Sequence, residues 1–258
     1  MIMKNVTLIS DWKLRDPYIS ILKGVLISHI PDVQIFDISH AIEKFNIGQA
    51  AFIAKASFPH FPEKTVHIID VAGKSSDSVN PILLSYQNHW FLGEDTGVFQ
   101  TILGDSEADA IYQFDSIEKM SWYQKIALMT QALFENRIES CTVPITQLHR
   151  ILDDQFYYIK KEKSIQGKII YIDSFFNAVT NIPNEVFIET MQGREFSVSI
   201  SGSERLRITK MHPFYNPNEK DIYLFPNKLG YIEITYYKGP IAALGDLKIN
   251  ETVEINFT

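Results

Sequence analysis

The sequence predicts a mixed α/β protein whose carboxyl-terminal part consists mainly of short strands. Residues 6–9 form an apolar strand that runs through a polar turn into a helix, and residues 33–38 have the pattern of a second extended segment. Strand, helix and strand in that order make up a parallel crossover unit of an open α/β sheet. From Gly167 onwards, short extended segments follow one another without long helices between them. That pattern is typical of a small antiparallel barrel or sandwich.

Length, charge and composition are those of an ordinary globular protein. The chain has 258 residues, a formal net charge of −7 at pH 7 and 45% hydrophobic residues. A chain of this length buries a sizeable core, in one large domain or in two unequal ones. The acidic balance argues against a nucleic-acid partner, because such proteins need a basic surface. Cys141 is the single cysteine, which excludes an intrachain disulfide and indicates a reducing compartment.

The hydropathy of the chain predicts a cytoplasmic protein without a membrane partner. Residues 1–10 contain too short an apolar run for a signal peptide. No apolar run approaches the roughly 20 residues that a helix needs to cross a bilayer. We therefore expect the protein in the cytoplasm.

The first strand-to-helix turn holds the strongest candidate binding residues. Asp11 follows the apolar strand, at the edge where open α/β sheets bind their ligands. Asp16 precedes Pro17, and this pair predicts a helix start with Asp16 as the N-cap. Two carboxylates at one strand-to-helix turn suit a ligand with hydroxyl groups or an ammonium group. The alternative is that Asp11 only closes the turn and that Asp16 only caps the helix.

The α/β pattern continues beyond the second strand. His40, at its end, is interpreted as a structural residue rather than an acid or base, and Phe45 either covers a ligand or packs under the next helix. Helices are predicted at residues 47–57, 125–134 and 145–152, and strands at residues 65–71, 82–86, 89–92 and 110–114.

The pattern of the sequence changes after Asp153, from alternating strands and helices to mainly short strands, and this change predicts a second domain. Residues 154–163 have the composition of a polar and aromatic connector. Strands are then predicted at residues 168–173, 196–200, 206–211, 221–225, 231–237 and 252–257. We place the boundary near Gly167 and assign residues 1–163 and 164–258 to the two domains.

Several motifs, taken in chain order, resemble those of the S-adenosylmethionine (SAM) hydrolases. This family, also called the SAM hydroxide adenosyltransferases, shares its fold with fluorinase and chlorinase enzymes. The segments that carry the resemblance are residues 10–18, 23–24, 37–40, 50–52, 61–67, 93–97, 172–181 and 230–231. The resemblance covers essentially the whole chain. It implies an amino-terminal Rossmann-like α/β domain, a carboxyl-terminal small antiparallel β-barrel domain, and a homotrimer with sites between subunits.

The chemistry of the family implies roles for the acidic candidates. Its members bind SAM and displace methionine from the ribose C5′ with hydroxide or halide. Asp11 matches a carboxylate that accepts hydrogen bonds from both ribose hydroxyls. Asp16 and Asp173 match positions that attract the methionine ammonium, with Tyr18 nearby. SAM itself is the expected substrate or ligand, and no further cofactor and no metal are expected.

The resemblance also assigns residues to the nucleoside and to the methionine carboxylate. Phe45 and Phe175 match aromatic positions that pack on the nucleoside, and Asn177 matches one that binds the adenine edge. Trp12 belongs to the matching motif of residues 10–18. Lys228 and Leu229 stand where halogenating members carry a serine and an arginine, and Lys228 is the candidate that supplies charge to the methionine carboxylate. Phe176 replaces a glycine of the family, which predicts a narrower adenine pocket.

The chain departs from the family at the groups that activate water. The hydrolases use an aspartate, an arginine and a histidine, and here Asp70 is displaced by two residues from the aspartate position. Residues 74–80 contain no arginine, and residues 122–125 occupy the histidine position. We assign Asp70 and Tyr123 as candidate catalytic residues, with Lys125 as a further alternative.

Three functions follow as hypotheses. The first is a divergent SAM hydrolase that releases adenosine and methionine, and the second is a non-catalytic protein that binds adenosine or SAM. The third is an enzyme for another nucleoside that uses Tyr123 or Lys125. We predict that SAM hydrolysis is absent or far slower than in members with an intact triad, because losing a positioned base costs about 10²–10⁴-fold in rate.

Overall fold

Two compact units make up the chain. The computed structural model describes residues 4–115, 119–151, 157–203, 206–213 and 220–258. The units are Met1–Ile151 and Leu152–Thr258, and each contains its own seven-stranded sheet and apolar core. The predicted mixed α/β class is confirmed. The domain limits at 163 and 164 stay a prediction.

The first unit is built on a mixed sheet. Its strands β1–β7 are Lys4–Ser10, Val33–Ser39, Val66–Asp70, Ile82–Tyr86, His89–Gly93, Ala110–Phe114 and Thr142–Pro144. Its helices α1–α4 are Tyr18–His29, Ile47–Ser57, Val98–Leu103 and Trp122–Phe134. Short 3-10 helices cover Phe58–His60 and Ile138–Ser140. The strand order is β2-β1-β3-β5-β4-β6-β7, and β2, β1, β3 and β5 run parallel.

Apolar side chains pack on both faces of this sheet. Leu8 pairs in register with Ile68, and both belong to the core that α1 and α4 cover. Their neighbours Ile9 and Ile69 belong to the core on the opposite face, under α2 and α3. Successive residues of a strand point to opposite faces, so a continuous apolar run supplies both cores.

The register of the central strands brings three acidic positions to one edge of the sheet. Ser10 at the end of β1 pairs with Asp70 at the end of β3, and Ile69 pairs with Gly93 at the end of β5. Asp11 and Glu94 directly follow these strand ends. The carboxyl edge predicted for Asp11 therefore also carries Asp70 and Glu94.

The start of α1 differs from the prediction. Pro17, not Asp16, occupies the N-cap position, and no side chain of the described residues caps the helix. Pro17 has helical dihedral angles (φ −77°, ψ −6°), and its carbonyl accepts the N–H of Ile21 at 2.9 Å. The predicted capping role of Asp16 is wrong because the proline itself begins the helical bonding.

The helix predicted at residues 145–152 is wrong over 145–151, the part that the structure describes. Strand β7 pairs with β6, and the N–H of Ile145 then donates to the carbonyl of Ile111 at 3.0 Å. The backbone groups that a helix would use are thus engaged with the sheet edge. Helix α4 also starts earlier than predicted, at Trp122. Ser121 is its N-cap and forms a capping box with Gln124 in the first turn.

The second unit is an antiparallel sheet with two short helices among its described residues. Strands β8–β14 are Ile159–Lys160, Ser164–Ile172, Ala178–Pro183, Phe196–Ile200, Tyr223–Pro226, Tyr231–Thr235 and Thr252–Phe257. Helices α5 and α6 are Asn184–Met191 and Ile241–Leu244. The strand order is β11-β14-β9-β10-β13-β12, and β8 pairs with β9. The strand-rich character predicted for this half is confirmed.

In this half, one predicted strand is absent and one strand was not predicted. Residues 206–211, all of them described, form no strand, and their backbone pairs with the sheet at isolated bridges of Ile208 and Met211. Strand β10 was missed because polar residues interrupt its apolar pattern at two buried positions: Thr180 donates to the carbonyl of Ile232 at 2.7 Å, and Asn181 accepts a backbone N–H at 2.8 Å. Part of the predicted connector, residues 154–156, lies outside the described residues.

Across the described ranges, no helix is both long enough and apolar enough to span a membrane.

Candidate functional site

Asp11 ties together the loops that follow β2 and β3. Its Oδ2 accepts the N–H of Phe45 at 2.9 Å and the N–H of Ala72 at 3.3 Å. Both residues have a positive φ, 65° and 60°, which is strained for residues with a Cβ. Asp11 therefore has the turn-closing role that was the alternative interpretation. Its other oxygen, Oδ1, accepts no hydrogen bond from the residues that the structure describes.

Asp70 is a buried carboxylate at the same edge. The residue is 3% exposed, and the Ser75 hydroxyl lies 2.8 Å from its Oδ1 and 2.9 Å from its Oδ2. The indole Nε1 of Trp122 donates to Oδ2 at 2.8 Å. Burial raises the pKa of Asp70 to about 7; the two hydrogen bonds oppose this rise, and the charges of Glu94 and Asp11 add to it. A carboxyl group with this pKa exchanges a proton near neutral pH.

A tight turn at residues 72–75 wraps around Asp70 and Glu94. Oε2 of Glu94 accepts the N–H of Lys74 at 2.6 Å and the N–H of Ser75 at 3.2 Å. A Cβ on Gly73 would lie 2.7 Å from the same oxygen, so this position needs a glycine unless Glu94 moves. Sequence reasoning missed Glu94. The signal was its place after β5, which neighbours β3 in the sheet.

Aromatic side chains stand beside these carboxylates. The rings of Trp12 and Tyr18 are 6.0 Å apart, those of Trp12 and Tyr123 are 6.3 Å apart, and both pairs meet edge to face. Burial and then the charge of Asp70 raise the pKa of Tyr123 above its ordinary value. A raised pKa favours the protonated phenol, so these surroundings do not favour Tyr123 as a base, and its catalytic role stays a prediction.

Lys125 holds the loop at residues 77–80. Its Nζ donates to the carbonyls of Asp77 and Val79 at 2.7 and 2.8 Å and to Oδ1 of Asn80 at 3.1 Å. The residue is 5% exposed, and these partners use all three of its donors. Oδ1 of Asp77 in turn accepts the N–H of Trp122 at 2.9 Å. Lys125 and α4 thus secure the loop that follows Ser75.

The other candidates of the first unit differ in their surroundings. Asp16 is exposed, and Phe45 is 72% exposed. His40 is buried, with Nδ1 2.8 Å from the Ser10 hydroxyl and Nε2 3.1 Å from Asp37, in agreement with the structural role predicted for it. Within this unit, the structure brings together Asp11, Trp12, Tyr18, Asp70 and Tyr123.

In the second unit, Asp173 closes the loop that presents Phe175 and Phe176. Its Oδ1 accepts the N–H of Phe175 and of Asn177 at 2.9 and 2.8 Å, and its Oδ2 accepts Nδ2 of Asn177 at 3.0 Å. Oδ1 of Asn177 accepts the hydroxyl of Thr235 at 2.7 Å. Among the described contacts, Nδ2 of Asn177 donates one of its two hydrogens, to Asp173. Phe176 has φ +63°, the conformation that favours the glycine expected there from the resemblance.

Lys228 is exposed in the turn between β12 and β13, which Asn227 organises. Oδ1 of Asn227 accepts the N–H of Leu229 at 3.0 Å and of Tyr231 at 3.1 Å, and its Nδ2 donates to Glu233 at 3.2 Å. Burial, and to a smaller extent the charge of Asp173, raises the pKa of Glu233 to about 7. Sequence reasoning missed both Asn227 and Glu233.

Comparison with known protein families tests the resemblance that the sequence motifs indicated. The profile of the SAM hydroxide adenosyltransferase N-terminal domain matches residues 6–136, and that of the C-terminal domain matches residues 167–254. The chain belongs to the SAM hydroxide adenosyltransferase family. The resemblance stated from the sequence is confirmed.

Individual relatives of the family agree with this assignment. A protein of Methanocaldococcus jannaschii named (R)-S-adenosyl-L-methionine hydrolase is 22% identical over 262 residues, covering 98% of this chain and 96% of the relative. A Thermus thermophilus protein of the same name is 27% identical over 97 residues, 38% of each chain.

Solved structures share the fold. A crystal structure of an uncharacterized conserved protein from Thermotoga maritima has a TM-score of 0.83 at 19% identity and covers 98% of this chain and 99% of its own. A conserved hypothetical protein from Thermus thermophilus has a TM-score of 0.72 at 18% identity, over 99% of this chain and 100% of its own.

Proposed function

We propose that the protein binds SAM or adenosine and hydrolyses SAM slowly to adenosine and L-methionine. The observation that carries this proposal is Asp70, a buried carboxyl group with a pKa of about 7 beside Asp11 at the carboxyl edge of the first sheet. Membership of a family in which two relatives are named SAM hydrolases supplies the substrate.

The first unit offers groups for the ribose and for the sulfonium centre. Oδ1 of Asp11 is available to a ribose hydroxyl, while Oδ2 keeps the surrounding loops in place. The edge-to-face cluster of Trp12, Tyr18 and Tyr123 provides an aromatic wall. A cationic sulfonium is attracted both by aromatic faces and by the nearby carboxylates.

Asp70 supplies the base in the proposed reaction. Water attacks C5′, its oxygen forms the new C–O bond, the C5′–S bond breaks, and methionine leaves as a neutral thioether. The proton released by the water goes to Asp70, whose pKa lies near neutral pH, where a general base works best. Because its partners are Ser75 and Trp122 rather than an arginine and a histidine, we expect slower turnover than in members with the full triad.

The alternative is a protein that binds the nucleoside without hydrolysing it. Asp70 is 3% exposed, and both of its oxygens lie within hydrogen-bond distance of Ser75. If no water reaches this carboxylate, the site holds SAM or adenosine and no reaction follows.

Adenosine release from SAM, followed by chromatography, tests the two candidates. We expect slow release by the wild type, and at least a tenfold lower rate for Asp70→Asn with adenosine affinity kept. A heat-treated sample measures the spontaneous background. Release no faster than this background, with SAM binding intact by calorimetry, would favour the binding protein. Rapid adenosine release that is the same in the wild type and in Asp70→Asn would show that Asp70 is not the base.

We further propose that this chain has the domain types, assembly and location that the family resemblance implies. These are a Rossmann-like first domain, a small β-barrel second domain, a homotrimer with sites between subunits, and a cytoplasmic location. The ligand-binding roles of Asp16, Phe45, Asp173, Phe175, Asn177 and Lys228 belong to the same proposal. Neither a metal nor a further cofactor has a part in it.

A further inference from the structure

Ser75 is a partly exposed residue whose hydroxyl contacts the buried Asp70 carboxylate. Asp70 is 3% exposed, whereas Ser75 is partly exposed. The Ser75 hydroxyl lies 2.8 and 2.9 Å from the two Asp70 oxygens. Of these two residues, Ser75 is therefore the more accessible to solvent.

The second partner of Asp70 cannot pass a proton on. Trp122 is 1% exposed, and its indole Nε1 donates to Oδ2 of Asp70 at 2.8 Å. An indole N–H is a donor only, whereas a serine hydroxyl donates one hydrogen bond and accepts two. Among the described residues bonded to Asp70, Ser75 is thus the group that can receive a proton while giving up its own.

The backbone holds Ser75 in this position. Its φ is +44°, in the left-handed region that residues with a side chain rarely adopt. Glu94 stabilises this conformation by accepting the N–H of Ser75 and of Lys74. Strained backbone at a functional site persists only where the surrounding structure imposes it. The turn therefore aims the hydroxyl at Asp70 at a cost in conformational energy.

We propose that Ser75 relays the proton of the attacking water to Asp70. This inference rests on the proposed hydrolysis of SAM. The water donates a hydrogen bond to Oγ of Ser75, and the Ser75 hydroxyl donates to Asp70. As the water oxygen bonds to C5′ and the C5′–S bond breaks, the water proton moves to Oγ and the original Ser75 proton moves to the carboxylate. Ser75 ends unchanged, Asp70 ends protonated, and methionine carries away the electron pair of the broken bond.

The test compares four proteins in steady-state SAM hydrolysis across a pH range. They are the wild type, Ser75→Ala, Ser75→Gly and the control Ser76→Ala. Ser76 belongs to the same loop, but its hydroxyl contacts Ser78 instead of Asp70. The glycine variant accepts the positive φ without strain, so agreement between the alanine and glycine variants assigns an effect to the hydroxyl rather than to the backbone.

The relay predicts a loss in kcat that a merely structural role would not cause. On the alkaline plateau, where Asp70 is ionised in every variant, kcat of Ser75→Ala and Ser75→Gly should fall at least tenfold with KM within about threefold. The acidic limb of their pH profiles should move to higher pH, because a hydrogen bond that stabilises the carboxylate is lost. Ser76→Ala should follow the wild type.

Each other outcome counts against the relay in a recognisable way. If Ser75→Ala and Ser75→Gly turn over SAM as fast as the wild type on the alkaline plateau, the relay is overturned and Asp70 is left as a direct base. A change in KM alone would show that Ser75 only shapes the binding loop. Wild-type release no faster than the heat-treated control would overturn the proposed hydrolysis, and the relay with it.

Discussion

At the scale of single residues, the site is a set of carboxylates with different surroundings. Asp11 uses one oxygen for loop N–H groups and keeps the other available, whereas Asp70 is buried and bonded on both oxygens. Glu94 accepts backbone N–H groups of the intervening turn. In the proposed reaction, the same chemical group thus serves binding, proton transfer and positioning, according to its partners and its burial.

Replacing Asp11 tests the ribose assignment. In Asp11→Ala, a ligand hydroxyl loses its acceptor, and the loops at Phe45 and Ala72 lose a shared hydrogen-bond partner. We expect adenosine or SAM to bind more than tenfold more weakly in isothermal titration, a loss above about 1.4 kcal/mol. Circular dichroism checks that the variant is folded. An unchanged affinity in a folded variant would rule out the ribose role.

Replacing Asp70 should show that this carboxylate costs stability at neutral pH. Its pKa is raised from 3.8 to about 7, so the folded state binds the proton more tightly than the unfolded state between these values. The free energy of unfolding of the wild type therefore falls as pH rises through this window. Asp70→Asn lacks this dependence. Between pH 5 and pH 8, its stability relative to the wild type should rise by about 2–3 kcal/mol.

Urea unfolding of both proteins at the two pH values measures this difference. Titrating groups that do not interact with Asp70, such as His67 and Glu233, are present in both proteins and cancel in the comparison. A stability difference that is the same at pH 5 and pH 8 would mean that Asp70 titrates at its ordinary pKa.

At the scale of elements, parallel pairing of β1, β3 and β5 positions the site. Ser10 faces Asp70, and Ile69 faces Gly93, so the turns after three separate strands meet at one edge. Helix α4 adds Trp122 from the sheet face, and its amino terminus is bound by Asp77 of the loop after β3. Each of these elements packs by its own apolar residues, and the polar groups at their ends then form the site.

The bounds of helices and strands were predicted correctly where residues close together in the sequence determine the structure. The strands predicted at residues 82–86 and 89–92 form the hairpin of β4 and β5, which turns at Gln87 and Asn88, both with positive φ as a tight two-residue turn requires. Helix α2 has the predicted bounds of residues 47–57. The predictions failed at residues 145–151 and 206–211, where pairing with a sheet edge and isolated bridges replace the regular pattern.

At the scale of the whole molecule, the proposed homotrimer leads to a test of assembly. If the site lies between subunits, Asp11 and Asn177 of one site come from different chains. We expect multi-angle light scattering to give three times the mass of one chain, and adenosine affinity to fall when dilution dissociates the trimer. A strictly monomeric protein that binds adenosine with full affinity would contradict the shared site.

The sequence by itself determined the class, the order of most elements and the family. Apolar runs identify buried strands, helical spacing identifies amphipathic helices, and both signals are local. The position of Asp11 after the first strand followed from the same pattern. The motifs that resemble the SAM hydrolases extend over both units, and the family profiles match them there.

Only the tertiary structure decided what surrounds the candidate base. Trp122 is 52 residues from Asp70 in the chain, and Glu94 is 20 residues from Lys74, so no local pattern reports these contacts. The sequence offered Lys125 as a possible catalytic group, whereas the fold places its three donors on the loop at residues 77–80. The pKa of Asp70 depends on burial and on neighbouring charges, which exist only once distant strands have paired.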